Sequence, residues 1–341
     1  MKPHVLVARL DNAGDVLLTG PAIRAVAAGA RRVTMLCSSR GSDAARLLPG
    51  VNDVVVYDAP WVAFEPAPLK AKETLGLVGK LATLELDRAI IFTSFHQSPL
   101  PLALLLRLAG VPFLAATSVD YPGSLLDIRH RISDDVHEVE RSLDLAETAG
   151  YELPPGDDGG LAVKRTGKRP PQLGDEPYVV VHPGVSVPAR AWAPEKNAAL
   201  VEALLSGGRR VVVTGGPSER NLTARVAGPP NPEVLDLGGE TDLADLAEVI
   251  AVADAIVAGN TGPAHLAAAV GTPVVSLFAP TVPAARWRPW RVPHVLLHRD
   301  VPCAGCRARV CPVEGHPCLS GVAVEEVVAA VERLAPVGAL R

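Results

Sequence analysis

The chain has 341 residues and a formal net charge of −4; 48% of the residues are apolar, 21% charged and only 4% aromatic. That length suggests about two domains, and the composition is that of a soluble globular protein whose core is built from Val, Leu, Ile and Ala. The mildly acidic balance gives no reason to expect nucleic acid as the main partner, and the apolar stretch 5–10, interrupted by Arg9 and followed by Asp11, is too short for a signal-peptide core.

Short apolar runs alternate with helical patterns, which predicts parallel βαβ units. In the first half, strands are expected at 5–8, 33–37, 54–57, 89–92 and 113–115. Helices are expected between them, for example at 16–28 and 100–109, with an amphipathic helix at 136–149. The first strand runs into RLDNAGDVLLTGPAIRAV, residues 9–26. Open α/β sheets place ligands at loops on the carboxyl ends of parallel strands. Gly14 allows close backbone approach there. Asp15, at the helix start, reads either as an exposed functional carboxylate or as a plain N-cap.

Pro and Gly punctuate the polar stretch 153–177, which marks a linker at 154–177 between a domain at 1–153 and a second at 178–341. The alternation then restarts, with strands at 178–182, 210–214, 234–237, 255–258 and 274–278. Helices start near Pro194, Ser218, Asp242 and Thr261, and a last one covers 324–334. The stretch 255–285 has no formal charge apart from a possible one on His265 and could pass for a membrane span. Asn260, Gly262, Pro263, Gly271, Pro273 and Pro280 instead break it into strand, helix and strand. The expected fold is α/β, two Rossmann-like domains facing a cleft.

Three loops of the second half suit phosphate. In VHPGVSVPARAWAPEKNAAL the guanidinium fork of Arg190 matches phosphate oxygens; the alternative is a surface Arg beside a packing Trp192. In TGGPSER, Gly215 and Gly216 allow close passage of a ligand and Glu219 suits a ribose hydroxyl, unless the segment is only a tight βα turn. In AGNTGPAHLAAAVGTPVVSLFAPT, Pro263 opens a helix whose unpaired first-turn amides make an anion site. Thr261 and Gly262 would face a pyrophosphate. His265 either donates to it or is a satisfied core histidine. No GxGxxG motif follows the first strand and no Walker lysine loop is present, so nicotinamide and P-loop chemistry are weak options.

Cys303, Cys306, Cys311 and Cys318 fall within sixteen residues, with His316 among them, in a Cys-rich loop at 302–320. Metal, disulfide or redox use and plain reduced thiols are all open. If a metal is bound, four thiolates would close its coordination sphere, which implies a structural zinc remote from the reacting centre, with His316 able to replace one thiolate.

The segments GDVLLTGPAIRAV, HPG with RAW, TGG and NTGPAHLAAAVGTPVVSLFAPT, in that order, resemble glycosyltransferase family nine, the heptosyltransferase-like enzymes of the GT-B fold, over nearly the whole chain. The resemblance implies transfer of heptose or a similar sugar from a nucleoside-diphosphate sugar, ADP-linked, to a cell-envelope glycan or glycolipid. It implies Asp15 as general base, Arg190 balancing diphosphate charge and Ser186 on the donor phosphates. It further implies Glu219 on the ribose and Thr261, Gly262 and His265 on the pyrophosphate. Asn260 stands where the family commonly has an Asp that contacts the donor sugar, and Arg190 where Lys is frequent. No cofactor is expected for catalysis, and the expected location is cytoplasmic with at most peripheral membrane contact. A GT-B sugar-nucleotide epimerase and a non-catalytic nucleotide-binding protein are the rival readings.

Overall fold

The computed structural model describes residues 1–63, 66–94 and 96–336, so the last five residues of the predicted second domain lie outside the described residues. The chain divides into two compact units, Met1–Lys164 and Arg165–Arg341.

The first unit holds a six-stranded sheet: β1 (His4–Arg9), β2 (Arg32–Cys37), β3 (Asp53–Val56), β4 (Arg88–Ile91), β5 (Phe113–Thr117) and β6 (Ile128–His130). All pairings are parallel, in the order β3-β2-β1-β4-β5-β6. Every residue of β1 is buried, because helices cover both faces of such a sheet; this is why these strands read as continuous apolar runs. The core on one side packs Leu6, Ala8 and Ile91 against Leu102, Leu106 and Leu114, each fully buried Leu or Ile contributing about 1.5–3 kcal/mol.

The sequence reading missed β6, a three-residue edge strand of Ile-Arg-His with no apolar run. The helix Ala71–Ala82, in one of the intervals where the alternation places a helix, buries only Thr74, Leu77 and Leu81. The single helix expected at 16–28 is two, Ala13–Leu18 and Gly20–Gly29. They separate at Thr19, whose hydroxyl donates to the Val16 carbonyl at 2.7 Å, just before Pro21, which has no amide hydrogen to continue the ladder.

The second unit repeats the plan: β7 (Tyr178–His182), β8 (Arg210–Val213), β9 (Val234–Asp236), β10 (Ala255–Gly259), β11 (Val274–Leu277) and β12 (His294–Leu297). Its parallel order is β12-β11-β10-β7-β8-β9. The missed strand β12 is four residues long in a stretch rich in Pro, Arg and His. Helices Pro194–Ser206 and Val324–Leu334 bury Leu200, Val201 and Leu204 with Val327, Ala330 and Val331 in one cluster.

Residues 154–177 are not a free tether. Asp157 pairs with Arg24 at 2.6 Å, and the Lys164 amide donates to the Leu47 carbonyl at 2.7 Å, both within the first unit. From the next residue on, the chain grips the second: Arg165 and the Gly167 amide both bond the buried Glu248, at 2.8 and 2.9 Å. Among the described residues no helix is long and apolar enough to cross a membrane.

In both sheets the strand order reverses beside the first strand of the unit, between β1 and β4 and between β7 and β10. Loops diverge at such switch points and leave a crevice at the carboxyl ends of the strands.

Candidate active site

In the first unit the switch point is organised by Arg9, the last residue of β1, whose side chain is 1% exposed. Its Nε lies 2.6 Å from Asp11 Oδ2. Its Nη2 donates to Ser94 Oγ at 2.8 Å and to Asp15 Oδ1 at 3.1 Å. Its Nη1 and Nη2 both reach Glu138 Oε2 at 3.4 Å. Ser94 and Gln97 follow β4, and Gln97 Nε2 donates to Asp11 Oδ1. Three carboxylates thus share one buried guanidinium. Burial opposes the Arg9 charge, but Asp11, Asp15 and Glu138 outweigh it and raise its pKa above the usual value. Burial pushes the Asp11 carboxyl up; Arg9 pulls it down and the Asp15 charge adds to the rise.

Asp15 is the third residue of helix Ala13–Leu18, whose N-cap is Asn12, so it does not serve as the cap. The three carboxylates differ in access: the side chains of Asp11 and Glu138 are 9% and 1% exposed, that of Asp15 is 22% exposed. Asp15 alone of the three combines a fixed orientation with an open approach. Gly14 beside it is buried. Arg9, Asp11, Ser94, Gln97 and Glu138 were not singled out from the sequence. The one local signal was a charged Arg ending an apolar strand; Ser94 and Glu138 lie 85 and 129 residues from Arg9 and meet it only through the sheet order.

In the second unit, three loops at the carboxyl ends of adjacent strands β10, β7 and β8 hold the other predicted donor-site residues. Arg190 ends a short 3-10 turn, Pro188–Arg190. Its guanidinium is fixed: Nε donates to Thr281 Oγ1 at 3.3 Å and Nη1 to the Asn260 carbonyl at 3.2 Å. That is not the behaviour of a solvated surface Arg. Trp192 is buried. Asn260 is also buried; its Nδ2 donates to the Ala279 carbonyl at 3.3 Å while its Oδ1 has no partner among the described residues. Buried side-chain oxygens are normally satisfied, so this acceptor marks a polar contact still to be made.

Thr261 caps the helix Gly262–Val270 with extended backbone but without a side-chain bond, and Pro263 has no amide hydrogen. The Thr261 side chain thus leaves the helix start open, while its carbonyl accepts from the Ala264 amide at 3.1 Å. His265 is buried on that helix. Ser186 is exposed in the loop after β7. Glu219 accepts from the Gly216 amide at 2.7 Å, and a side chain at Gly184 would push its carboxylate out of that position.

His182, the last residue of β7, bonds Thr214 Oγ1 through Nδ1 at 2.9 Å. Burial holds its pKa down to about 4, the nearby Glu219 charge offsetting only part of the effect. A base with a depressed folded value stays neutral in the native chain while the unfolded chain takes up a proton. Stability is therefore full above pH ~6.5 and falls as the pH drops towards 4, by about 3 kcal/mol from this group. His182→Asn, which keeps an acceptor for Thr214, is expected to flatten that part of the pH–stability curve. Equal slopes for parent and variant in denaturant titrations between pH 6.5 and 4 would remove His182 as the cause.

The four clustered cysteines are free thiols. With His316 they line one small cavity of about 20 Å³. Burial, then the neighbouring Cys311 and Cys303, push the Cys318 thiol up. Among the described residues no group of three or more His, Cys, Asp or Glu side chains is arranged to hold a metal ion. The sequence places this loop apart from the reacting residues; instead its backbone bonds directly to the segments on either side of the Arg190 guanidinium. The Ala189 amide donates to the Arg309 carbonyl at 2.8 Å, and the Arg307 amide to the Thr281 carbonyl at 2.9 Å.

Two parallel sheets, each with a loop set at its switch point, define a doubly wound, Rossmann-like α/β protein. The model of glycosyltransferase family 9 (heptosyltransferase) matches residues 87–316, and the chain belongs to that family. Lipopolysaccharide heptosyltransferase 3 of Escherichia coli is 32% identical over 166 residues, 47% of each chain. Lipopolysaccharide heptosyltransferase 1 of Pseudomonas aeruginosa is 29% identical over 338 residues, 90% of this chain and 87% of its own. The first of these alignments thus spans about half of the relative's length. The fold is shared with the E. coli heptosyltransferase WaaC solved with ADP-2-deoxy-2-fluoro heptose: TM-score 0.71 at 22% identity, covering 97% of this chain and 100% of that one.

Proposed function

We propose that the chain is a glycosyltransferase that moves heptose or a similar sugar from an ADP-linked donor to a cell-envelope glycan or glycolipid. The observation that carries the reading is the pair of switch-point sites. One presents an oriented, accessible Asp15; the other presents a fixed Arg190 beside a helix start that the Thr261 side chain leaves open and an Asn260 oxygen with no partner among the described residues. Asp15 takes the proton of the acceptor hydroxyl as its oxygen bonds to the anomeric carbon. The bond from that carbon to the diphosphate breaks, inverting the centre, and the nucleoside diphosphate leaves. Arg190 and the first-turn amides of Gly262–Val270 stabilise the charge that grows on it. Ser186 and Thr261 contact the phosphates, Gly262 and His265 the pyrophosphate, Glu219 the ribose and Asn260 the sugar. Gly14, beside Asp15, belongs to the proposed donor contacts. The enzyme works in the cytoplasm, with at most peripheral contact to the membrane.

The test is ADP release from ADP-heptose by the full chain, with and without lipopolysaccharide-core acceptor. Release that depends on acceptor is expected. A donor epimerised without acceptor, or no turnover of any nucleotide sugar, would overturn the reading.

Catalysis needs no cofactor in this proposal. The cysteine cavity is proposed to hold one structural metal ion, zinc first. The chemistry of the donor set fits: four soft thiols line a space about the size of one water molecule. His316 could replace one thiolate only through Nδ1, because its Nε2 is engaged by the Ala189 carbonyl at 3.0 Å. Elemental analysis of the reduced protein is expected to find about one equivalent of metal per chain; finding none of any kind sinks this part of the proposal.

A further inference from the structure

Ala189 precedes Arg190 and is 2% exposed. Both its backbone polar groups are satisfied by the cysteine-rich loop: its amide donates to the Arg309 carbonyl at 2.8 Å, and its carbonyl accepts from His316 Nε2 at 3.0 Å. Because a carbonyl only accepts, that contact fixes the His316 tautomer with the proton on Nε2. The same loop grips the other anchor of Arg190. The Gly305 amide donates to the Pro280 carbonyl at 2.7 Å and the Arg307 amide to the Thr281 carbonyl at 2.9 Å. Thr281 in turn accepts from Arg190 Nε. The backbone next to the guanidinium and the hydroxyl that orients it are thus held by one segment.

That segment has little of its own to order it. Val310 and Val313 are exposed, at 70% and 40%. Arg307 and His316 sit at φ of 54° and 48°, in the left-handed region that ordinary side chains disfavour. Cys318 and Leu319 anchor its end in the core, but a stretch such as 302–316, with no buried apolar side chain, is ordered by cross-links or by what it clasps.

We infer that the cysteine-rich loop is the positioning element for Arg190, and that His316 is the side chain through which it sets the Arg190 turn. The inference rests on the reading of Arg190 as the diphosphate ligand, and it ties donor affinity to the state of the loop's thiols. Loosening the loop lets the guanidinium leave the geometry that Asn260 and Thr281 impose. Donor affinity then falls, while the base at Asp15, in the other unit, is untouched.

The experiment compares His316→Asn and His316→Gln in the full chain, each also combined with Arg190→Ala. Asn is at home in left-handed backbone but its amide is too short to reach Ala189; Gln restores a donor at the length of Nε2. Arg190→Ala alone is expected to weaken ADP binding roughly 10- to 100-fold, as loss of a charge-assisted phosphate contact does. His316→Asn is expected to weaken it about fivefold, the worth of one neutral hydrogen bond, with kcat nearly unchanged at saturating donor. His316→Gln recovers most of that loss. With Arg190 already removed, His316→Asn changes ADP affinity by less than about twofold, because the two act through one contact. Hydrogen exchange of the amides at 189–191 speeds up in His316→Asn and in the unmutated chain after its accessible thiols are alkylated with N-ethylmaleimide.

Equal loss of ADP affinity with and without Arg190, or unchanged exchange at 189–191, overturns the inference. If exchange responds as expected but Arg190→Ala leaves ADP affinity intact, the loop positions Arg190 and it is the diphosphate reading that fails.

Discussion

Asp15→Asn is expected to slow turnover by about 10²–10⁴-fold, the usual worth of a positioned base, while folding and ADP affinity stay close to the parent's. The geometry makes this substitution clean. Asn is isosteric, and its side-chain oxygen can still accept from Arg9 Nη2, as Asp15 Oδ1 does at 3.1 Å. The switch-point network therefore persists and only the proton acceptor is lost. Asp11→Asn is the control. It alters a carboxylate that lies even nearer Arg9, at 2.6 Å, but whose side chain is only 9% exposed, so turnover should stay far closer to the parent's. Single-turnover measurements with ADP-heptose and acceptor make the comparison at the chemical step. If Asp15→Asn turns over like the parent there, or if Asp11→Asn is equally slow, Asp15 is one more member of a structural ion cluster.

The parts of this chain legible in its sequence are those that repeat a local pattern. Tyr178–His182 and the closing helix Val324–Leu334 fall at the predicted bounds, because each is a dense apolar run or a strong amphipathic period with clear breakers on both sides. Two Rossmann-like α/β units follow from the alternation alone. Helix starts are expected near Asp242 and Thr261, the latter from Pro263 in the first turn, and both residues are the N-caps. Strands β6 and β12 were not legible, being three and four residues long with polar members; their pairing partners order them, not their own composition.

For the sites, individual residues could be listed but not their supports. Arg190 stood out as a guanidinium near a Trp, yet nothing local says that Thr281, 91 residues on, orients it. Arg9 and Glu138 escaped notice for a physical reason. A buried charge is tolerated only where partners converge, and here convergence is a property of strand order, which brings the ends of β1 and β4 side by side. The Cys-rich loop was read as a self-contained device because its spacing is self-contained. Its backbone bonds to Ala189 and Thr281 carry no sequence signature at all.

Arg9→Met is expected to lower stability by about 3–5 kcal/mol near neutral pH, the usual penalty for breaking a buried ion cluster by removing one partner. That is a large share of the roughly 5–15 kcal/mol by which a protein is stable. Met fills the space of the stem, so little of the loss is packing. The loss is electrostatic: Asp11 and Glu138, at 9% and 1% side-chain exposure, are left without the guanidinium that pairs with both. The pH dependence gives the test its sign. Burial already pushes the Asp11 carboxyl up, and Arg9 is what pulls it back; without Arg9 it rises further. A carboxyl whose folded value lies above its unfolded value weakens the fold at higher pH, and the penalty fades as the pH falls through the folded value towards the unfolded one. The deficit of Arg9→Met should therefore be largest near pH 7.5 and shrink steadily towards pH 4.5. Urea unfolding of parent and variant across that range measures it directly. A deficit below about 1 kcal/mol, the scale of an exposed pair, or one that does not shrink in acid, would mean that Arg9 is not the charge on which the three carboxylates depend.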